Sequence, residues 1–252
     1  LAVLGITPLF GLLSTMVVTN KMSFFSDALG HSAFTGMAVG TLAGALAPTP
    51  CAVLFAIVFA LLFTVVQRKA HMSSDTVIGV FSSTAVALGI FIATLGGQSF
   101  TKFNALLIGD VLSVSPAEIG LLFWILVGVA VFWLFALNRM LLTGVHPALA
   151  DSRGIRVALY EALFAVAIAV VVTLSMSWVG LMVINSMLVL PGAAARNVAR
   201  NMRQYHLFSV LGALAAGIAG VMTSFAIGAS AGATITLYLA AFFALSFLLR
   251  KK

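Results

Sequence analysis

The chain has 252 residues, 62% of them hydrophobic, only 8% charged, and a net charge of +7. A soluble globular domain carries about 25% charged residues, so this chain cannot cover itself with a polar surface, and its surroundings must be largely lipid. The basic excess lies in short loops between apolar runs rather than in a stripe interleaved with aromatics, which argues against a nucleic-acid partner and for a role in membrane orientation.

A membrane-spanning helix needs about 20 apolar residues. Taken in chain order, nine segments qualify: 1–18, 28–46, 50–66, 76–95, 118–137, 157–176, 178–195, 207–227 and 231–249. The expected fold is therefore all-α, a polytopic membrane protein of eight to nine spans forming a single transmembrane domain over 1–252. The first residue already lies inside an apolar run, without an initiator Met or a signal-peptide pattern. The natural N-terminus is expected upstream, which would make the first span a fragment.

With nine alternating spans, every one of the 13 Lys and Arg except Lys102 falls on one face. The positive-inside rule makes that face cytoplasmic. The C-terminal Arg250-Lys251-Lys252 is then inside and residue 1 outside. Residues 103–117 do not make a span, because Asn104, Asp110, Ser113, Ser115 and Pro116 interrupt the pattern. They read as a short helix and turn at the outer face.

Gly36, Gly40 and Gly44 recur at every fourth position, a small-residue face suited to a tight helix crossing. Cys51 is the one cysteine, so no internal disulfide or multi-cysteine metal site can form; it reads as a small apolar residue. Asp75 follows Ser73 and Ser74 at a helix start and reads as a cap.

Asp27 and His31 are the sharpest chemical feature. They stand at i and i+4 where an apolar helix begins, so both project from one face. A carboxylate and an imidazole so placed can hold one divalent metal together, and ionisable groups within a membrane are costly and usually functional. A plain alternative stays open on spacing alone: Asp27 caps the helix and His31 satisfies a buried carbonyl.

Other polar positions carry weaker signals. Asn185 and Ser186 interrupt an apolar span and read first as cross-helix hydrogen-bonding groups, second as lining for a path. Met182 and Met187 read as packing. Asp110 and Glu118 face the outside and read first as isolated, solvated acids, second as groups that attract cations or meet an extracytoplasmic protein. Glu161 is expected to pair with Arg156 or Arg153. His71, His146 and His206 fall in cytoplasmic loops without ligand partners. Arg196, Arg200 and Arg203 have near-helical spacing and suit either a cytoplasmic protein contact or anionic lipid headgroups. No Gly-x-x-x-x-Gly-Lys-Ser/Thr phosphate loop or His-Glu-x-x-His occurs. Any ATP hydrolysis would therefore need a separate polypeptide.

Five stretches, in order, resemble the permease subunits of metal-ion ABC transporters, the membrane subunits of bacterial manganese, zinc and iron importers. They are Phe25-Ser26-Asp27-Ala28-Leu29-Gly30-His31-Ser32-Ala33-Phe34-Thr35-Gly36; Ser74-Asp75-Thr76-Val77-Ile78-Gly79-Val80-Phe81-Ser82; Leu107-Ile108-Gly109-Asp110-Val111-Leu112-Ser113-Val114-Ser115; His146-Pro147-Ala148-Leu149-Ala150-Asp151-Ser152-Arg153-Gly154-Ile155; and Val179-Gly180-Leu181-Met182-Val183 running through Leu190-Pro191-Gly192-Ala193-Ala194-Ala195-Arg196.

The resemblance implies a dimer of all-helical permeases on two cytoplasmic ATPase subunits, fed by an extracytoplasmic metal-binding protein, in the bacterial cytoplasmic (inner) membrane. It implies no permanently bound cofactor; the metal, manganese, zinc or iron, is cargo. The family's Asp and His line the metal path near the dimer centre and fall on Asp27 and His31. The segment 138–156 is similar to the element that docks into the ATPase, with His146, Pro147, Ala150, Asp151 and Gly154 as its matching positions; Arg196, Arg200 and Arg203, by their spacing alone, are either a second surface facing that ATPase or a contact with lipid headgroups.

Two positions depart from the family pattern. Thr35 stands where many members have Pro, and Arg153 where members often have Leu. An ion-gradient-driven transporter using the same Asp and His, a membrane scaffold packed through its glycines, and a permease for chelated iron are the other readings.

Overall fold

The computed structural model describes residues 2–43, 48–70, 72–95 and 116–249. In chain order the helices are α1 (Ala2–Thr19), α2 (Phe25–Ala43), α3 (Pro48–Lys69), α4 (Ser74–Leu95), α5 (Pro116–Val145), α6 (Pro147–Ser152), α7 (Val157–Val179), α8 (Leu181–Val198), α9 (Met202–Ile227) and α10 (Ala231–Leu248). Each expected span has a counterpart among them.

By length and composition seven helices are able to cross a membrane: α3, α4, the Phe123–Val145 part of α5, and α7 to α10. The apolar part of α1, Val3–Thr19, is shorter. α2 is not among the seven, because Asp27, His31 and its Ser, Thr and Gly residues dilute its hydropathy. Its surroundings explain why that is tolerated: α2 packs on α3, α4, α7 and α8, and most of its residues are buried. A helix enclosed by other helices does not need an apolar face for lipid. The outer helices carry the lipid-type surface instead, with Leu134 and Phe135 on α5 and Phe225 on α9 at least 80% exposed.

Two groups of helices meet along α7 and α8. α1 packs on α8 and α9, with α10 behind them, while α2, α3 and α4 form the other group. Aromatic rings fill the second group, with Phe25 against Phe63 at 4.5 Å and Phe81 edge-on to both Phe59 and Phe63. Short polar bonds tie the first. Ser209 Oγ donates to the Gly11 carbonyl at 2.6 Å, and the Gly192 amide donates to Ser14 Oγ at 2.8 Å. Such bonds between membrane helices contribute about 0.6 kcal/mol each.

The glycine face of α2 makes the close crossing that its spacing predicts. A Cβ at Gly36 would stand 2.7 Å from Ala52 Cα, and one at Gly40 would stand 2.8 Å from Cys51 Cβ. Gly44 lies outside the described residues, as do Asp110, Lys102, His71, Arg250 and most of the segment 103–117.

α5 continues eight residues past its expected end at 137 and stops at Val145. Asn138, Arg139 and Thr143 suggest a loop, but nothing there breaks a helix until Pro147, whose ring disfavours helical backbone at His146; His146 has φ −141°. At α4 the cap is Ser73, whose Oγ accepts from the Thr76 amide at 3.2 Å, while Asp75 sits one position inside the first turn. Thr35, where the family often has Pro, leaves α2 continuous and ties it to α4: its Oγ1 donates to the Ala85 carbonyl at 2.7 Å.

Candidate functional site

Asp27 sits in the first turn of α2, where an acidic side chain suits the helix dipole, and His31 is one turn further on. The i, i+4 spacing brings His31 Nε2 to 3.5 Å from Asp27 Oδ2. Asp27 is partly exposed and His31 mostly buried. A third residue joins them from α8: Asn185 Nδ2 donates to Asp27 Oδ1 at 3.0 Å. Each carboxylate oxygen of Asp27 therefore faces a different neighbour. The sequence suggests Asn185 as a cross-helix hydrogen-bonding group, and the structure supplies its partner.

The α7–α8 junction makes this meeting possible. Gly180 alone joins the two helices at φ 83°, ψ 144°, a conformation that costs a side chain dearly and glycine nothing. The chain turns so sharply that Leu181 is pressed against Gly30 of α2, setting Asn185 one turn along, opposite Asp27. Asp27 and Asn185 line a cavity of about 490 Å³ with Ser23, Phe24, Ser186, Val189 and Leu190. Ser186 also lines a second cavity, between α8 and α10, with Met182, Ser230 and Thr236. Met182 is 64% exposed there, while Met187 is buried. No cluster of three or more His, Cys, Asp or Glu side chains occurs among the described residues.

The second candidate element is α6. His146 precedes it, Pro147 opens it at N1 and Arg153 closes it. The Ile155 amide donates to the Ala150 carbonyl at 3.0 Å and the Gly154 amide to the Asp151 carbonyl at 2.9 Å. This paired closure puts Gly154 at C′ with φ 73°, the left-handed position that favours glycine. His146, Pro147, Leu149, Asp151, Ser152 and Arg153 are exposed, while Ala150 is fully buried. The outward face of α6 is thus formed by Ala150's neighbours, and Ala150 seats the helix on the bundle.

Basic residues gather at the same end. One cavity, of about 530 Å³, is lined by Lys21, Arg68, Val145, Pro147 and Glu161 among others. A neighbouring cavity shares Thr19 and Val145 with it and adds Arg196 and Arg200. Glu161 pairs with Arg68 on α3 at 3.5 Å, not with Arg153 or Arg156, because α7 packs along α3. Arg139 instead donates to the Tyr160 hydroxyl.

Arg196, Arg200 and Arg203 are all exposed but do not share one helical stripe. α8 ends at Val198, and Asn201 starts α9 by accepting from the Gln204 amide at 2.9 Å. Gln204 Oε1 in turn accepts from the Arg200 amide at 3.0 Å. The Asn-x-x-Gln pattern is a capping-box signal that marks this break in the sequence. His206 lies inside α9 rather than in a loop, with its Nδ1 2.8 Å from Thr15 Oγ1.

Comparison with known proteins gives the same picture across the chain. A manganese import system permease protein of Streptococcus parasanguinis is 30% identical over 96% of this chain and 86% of its own length. A high-affinity zinc uptake system membrane protein of Haemophilus influenzae is 27% identical over 95% of this chain and 92% of its own. The structure of the PsaBC complex of Streptococcus pneumoniae with a Fab superposes with a TM-score of 0.81 at 27% identity, covering 98% of this chain and 87% of that one. Residues 1–250 match the ABC 3 transport family. A multi-pass helical bundle, a polar helix enclosed at its centre, and this match over residues 1–250 together place the chain in the ABC 3 transport family, as the permease subunit of a metal-ion ABC transporter.

Proposed function

We propose that this permease imports a divalent cation, manganese or zinc, through a path on which Asp27 and His31 are transient ligands. The observation that carries the reading is their placement: a carboxylate and an imidazole 3.5 Å apart on a helix enclosed by four others, beside a cavity that Asp27 lines. Relatives named for manganese and for zinc support those two metals over iron, for which only the donor chemistry speaks. One oxygen and one nitrogen ligand suit any of the three. So few ligands also hold the ion weakly, as release on the far side requires.

The assembly we propose is a permease dimer on two cytoplasmic ATPase subunits, supplied by an extracytoplasmic binding protein, in the bacterial cytoplasmic membrane with the C-terminus inside. The convergence of Lys21, Arg68, Arg196 and Arg200 near α6 supports that orientation. The exposed face of α6 is the ATPase contact in this reading, with Arg196 and Arg200 beside it and the exposed Arg203 as a further contact. ATP-driven motion then switches the Asp27–His31 site between the two sides.

Uptake of radioactive manganese and zinc by cells relying on this gene tests the reading. At matched membrane levels, Asp27→Ala and His31→Ala are each expected to lower uptake of one metal by at least about tenfold. Undiminished uptake in both variants would remove the site, and uptake independent of any ATPase subunit would point to an ion-gradient-driven carrier.

A further inference from the structure

We propose that Asn185 is the third residue of the cation site: its amide caps Asp27 when the site is empty, and its carbonyl oxygen ligates the cation when it is occupied. The inference rests on the reading of Asp27 and His31 as metal ligands and adds a residue from a different helix.

Three observations lead to it. Asn185 Nδ2 donates to Asp27 Oδ1 at 3.0 Å. The other end of the same amide, Asn185 Oδ1, is buried with no hydrogen-bond partner among the described residues. Both side chains line one cavity. The amide therefore satisfies the carboxylate with its nitrogen while its own oxygen goes unused. Buried polar groups normally have partners, and one that lacks a partner asks for an explanation.

The amide offers one through its shape. Its oxygen and nitrogen are nearly identical in size, and half a turn of the terminal torsion exchanges them. An empty, ionised Asp27 accepts hydrogen bonds only, so the N–H end is the favoured neighbour. A divalent cation on Asp27 reverses the local demand, because a positive charge repels the N–H dipole and attracts the carbonyl oxygen. After the exchange the oxygen takes the nitrogen's place, 3.0 Å from Asp27 Oδ1. Cation–oxygen distances of roughly 2.1 Å in an octahedral shell put neighbouring ligand oxygens about 3 Å apart. The separation now spanned by the hydrogen bond is thus the separation that two oxygens on one cation require.

The added ligand is a hard, neutral oxygen. It raises the oxygen share of the donor set without adding charge, which favours a manganese-like ion over zinc, whose sites lean on nitrogen and sulfur. It also makes the site span two helices, α2 and α8, so that a shift of α8 withdraws one ligand and loosens the ion. Ser186, the next residue, lines both this cavity and the one beside Met182, so the site adjoins a second opening along α8.

The test measures initial rates of manganese and zinc uptake by the complete transporter in proteoliposomes, for wild type, Asn185→Leu and Asn185→Asp. Co-purification of the ATPase subunit serves as the assembly check. Asn185→Leu keeps the size and loses both polar ends; its apparent KM for manganese is expected to rise at least about tenfold, with a smaller change for zinc. Asn185→Asp keeps an oxygen and adds a charge, so manganese binding is retained or tightened while the maximal rate falls. The inference is overturned if Asn185→Leu keeps the wild-type KM and metal preference. It is overturned equally if both variants lose only maximal rate, as a purely structural residue would. Asp27→Ala in the same assay separates the two levels: silence there sinks the site itself, whereas loss there with a normal Asn185→Leu sinks only the role of Asn185.

Discussion

Asn20 and Gly144 touch so closely that a Cβ on Gly144 would overlap the Asn20 side-chain oxygen. Gly144 lies in the last turn of α5, just before α6, and Asn20 opens the turn that leads into α2 and Asp27. In that turn Lys21 has φ 55°, a left-handed conformation uncommon outside glycine and costing about 1–3 kcal/mol. The turn is therefore held by its surroundings, and Gly144 is one of them. A push on α6 has a short route to Asp27 through this contact.

Gly144→Val is accordingly expected to separate ATP hydrolysis from uptake. The complex should assemble and hydrolyse ATP, while ions moved per ATP fall on the order of tenfold, since small misplacements of a ligand set are costly. The check is parallel measurement of hydrolysis and uptake in one proteoliposome preparation. A proportional loss of both would mean that the contact does not transmit motion.

The crossing of α2 and α3 gives a stability prediction. At Gly36 an added Cβ meets backbone, Ala52 Cα at 2.7 Å and the Cys51 carbonyl oxygen at 2.9 Å, and neither can turn aside. Gly36→Ala should cost about 1–3 kcal/mol, the usual range for overpacking. Gly79→Ala is the control, with nothing within 4 Å of the new methyl and an effect that is neutral or stabilising by up to about 1 kcal/mol, because alanine is the better helix former. Thermal unfolding in mild detergent compares the two.

What the sequence makes legible follows from range. The all-helical fold, the close approach at Gly36 and Gly40 and the proximity of Asp27 to His31 depend on spacings within a few residues, and the structure shows each of them. Asn185 is 158 residues from its partner Asp27, and no local pattern announces that pairing. Glu161 finds Arg68 rather than its nearer arginines for the same reason: helix packing, not sequence distance, sets its neighbours. The helical reach of α5 to Val145 was readable, because Pro147 is the first true breaker and polar residues alone do not end a helix. The low hydropathy of α2 makes sense only once its enclosure by four helices is seen.

On α6, burial divides the effects of substitution. Leu149 is 43% exposed and Ala150 is fully buried. Leu149→Glu should leave the permease folded and weaken recovery of the ATPase subunit by at least about tenfold, as loss of a central interface contact does. Ala150→Glu should instead lower the amount of folded permease, because it buries an unpaired charge. Fluorescence-detected gel filtration and ATPase recovery distinguish the two. Wild-type recovery with Leu149→Glu would place the ATPase contact elsewhere.

The Arg68–Glu161 pair joins α3 to α7 beside the basic end, but both side chains are more than 40% exposed. Water and salt screen such a pair, and long side chains lose entropy when fixed, so exposed pairs contribute about 0–1 kcal/mol. A double-mutant cycle with Arg68→Gln and Glu161→Gln, read by unfolding in detergent, should give a coupling energy below about 1 kcal/mol that shrinks as salt is raised. A value of about 3 kcal/mol or more, insensitive to salt, would mean that the pair is shielded from water in the assembled transporter. The cavity that both residues line would then be closed by a partner rather than open to solvent.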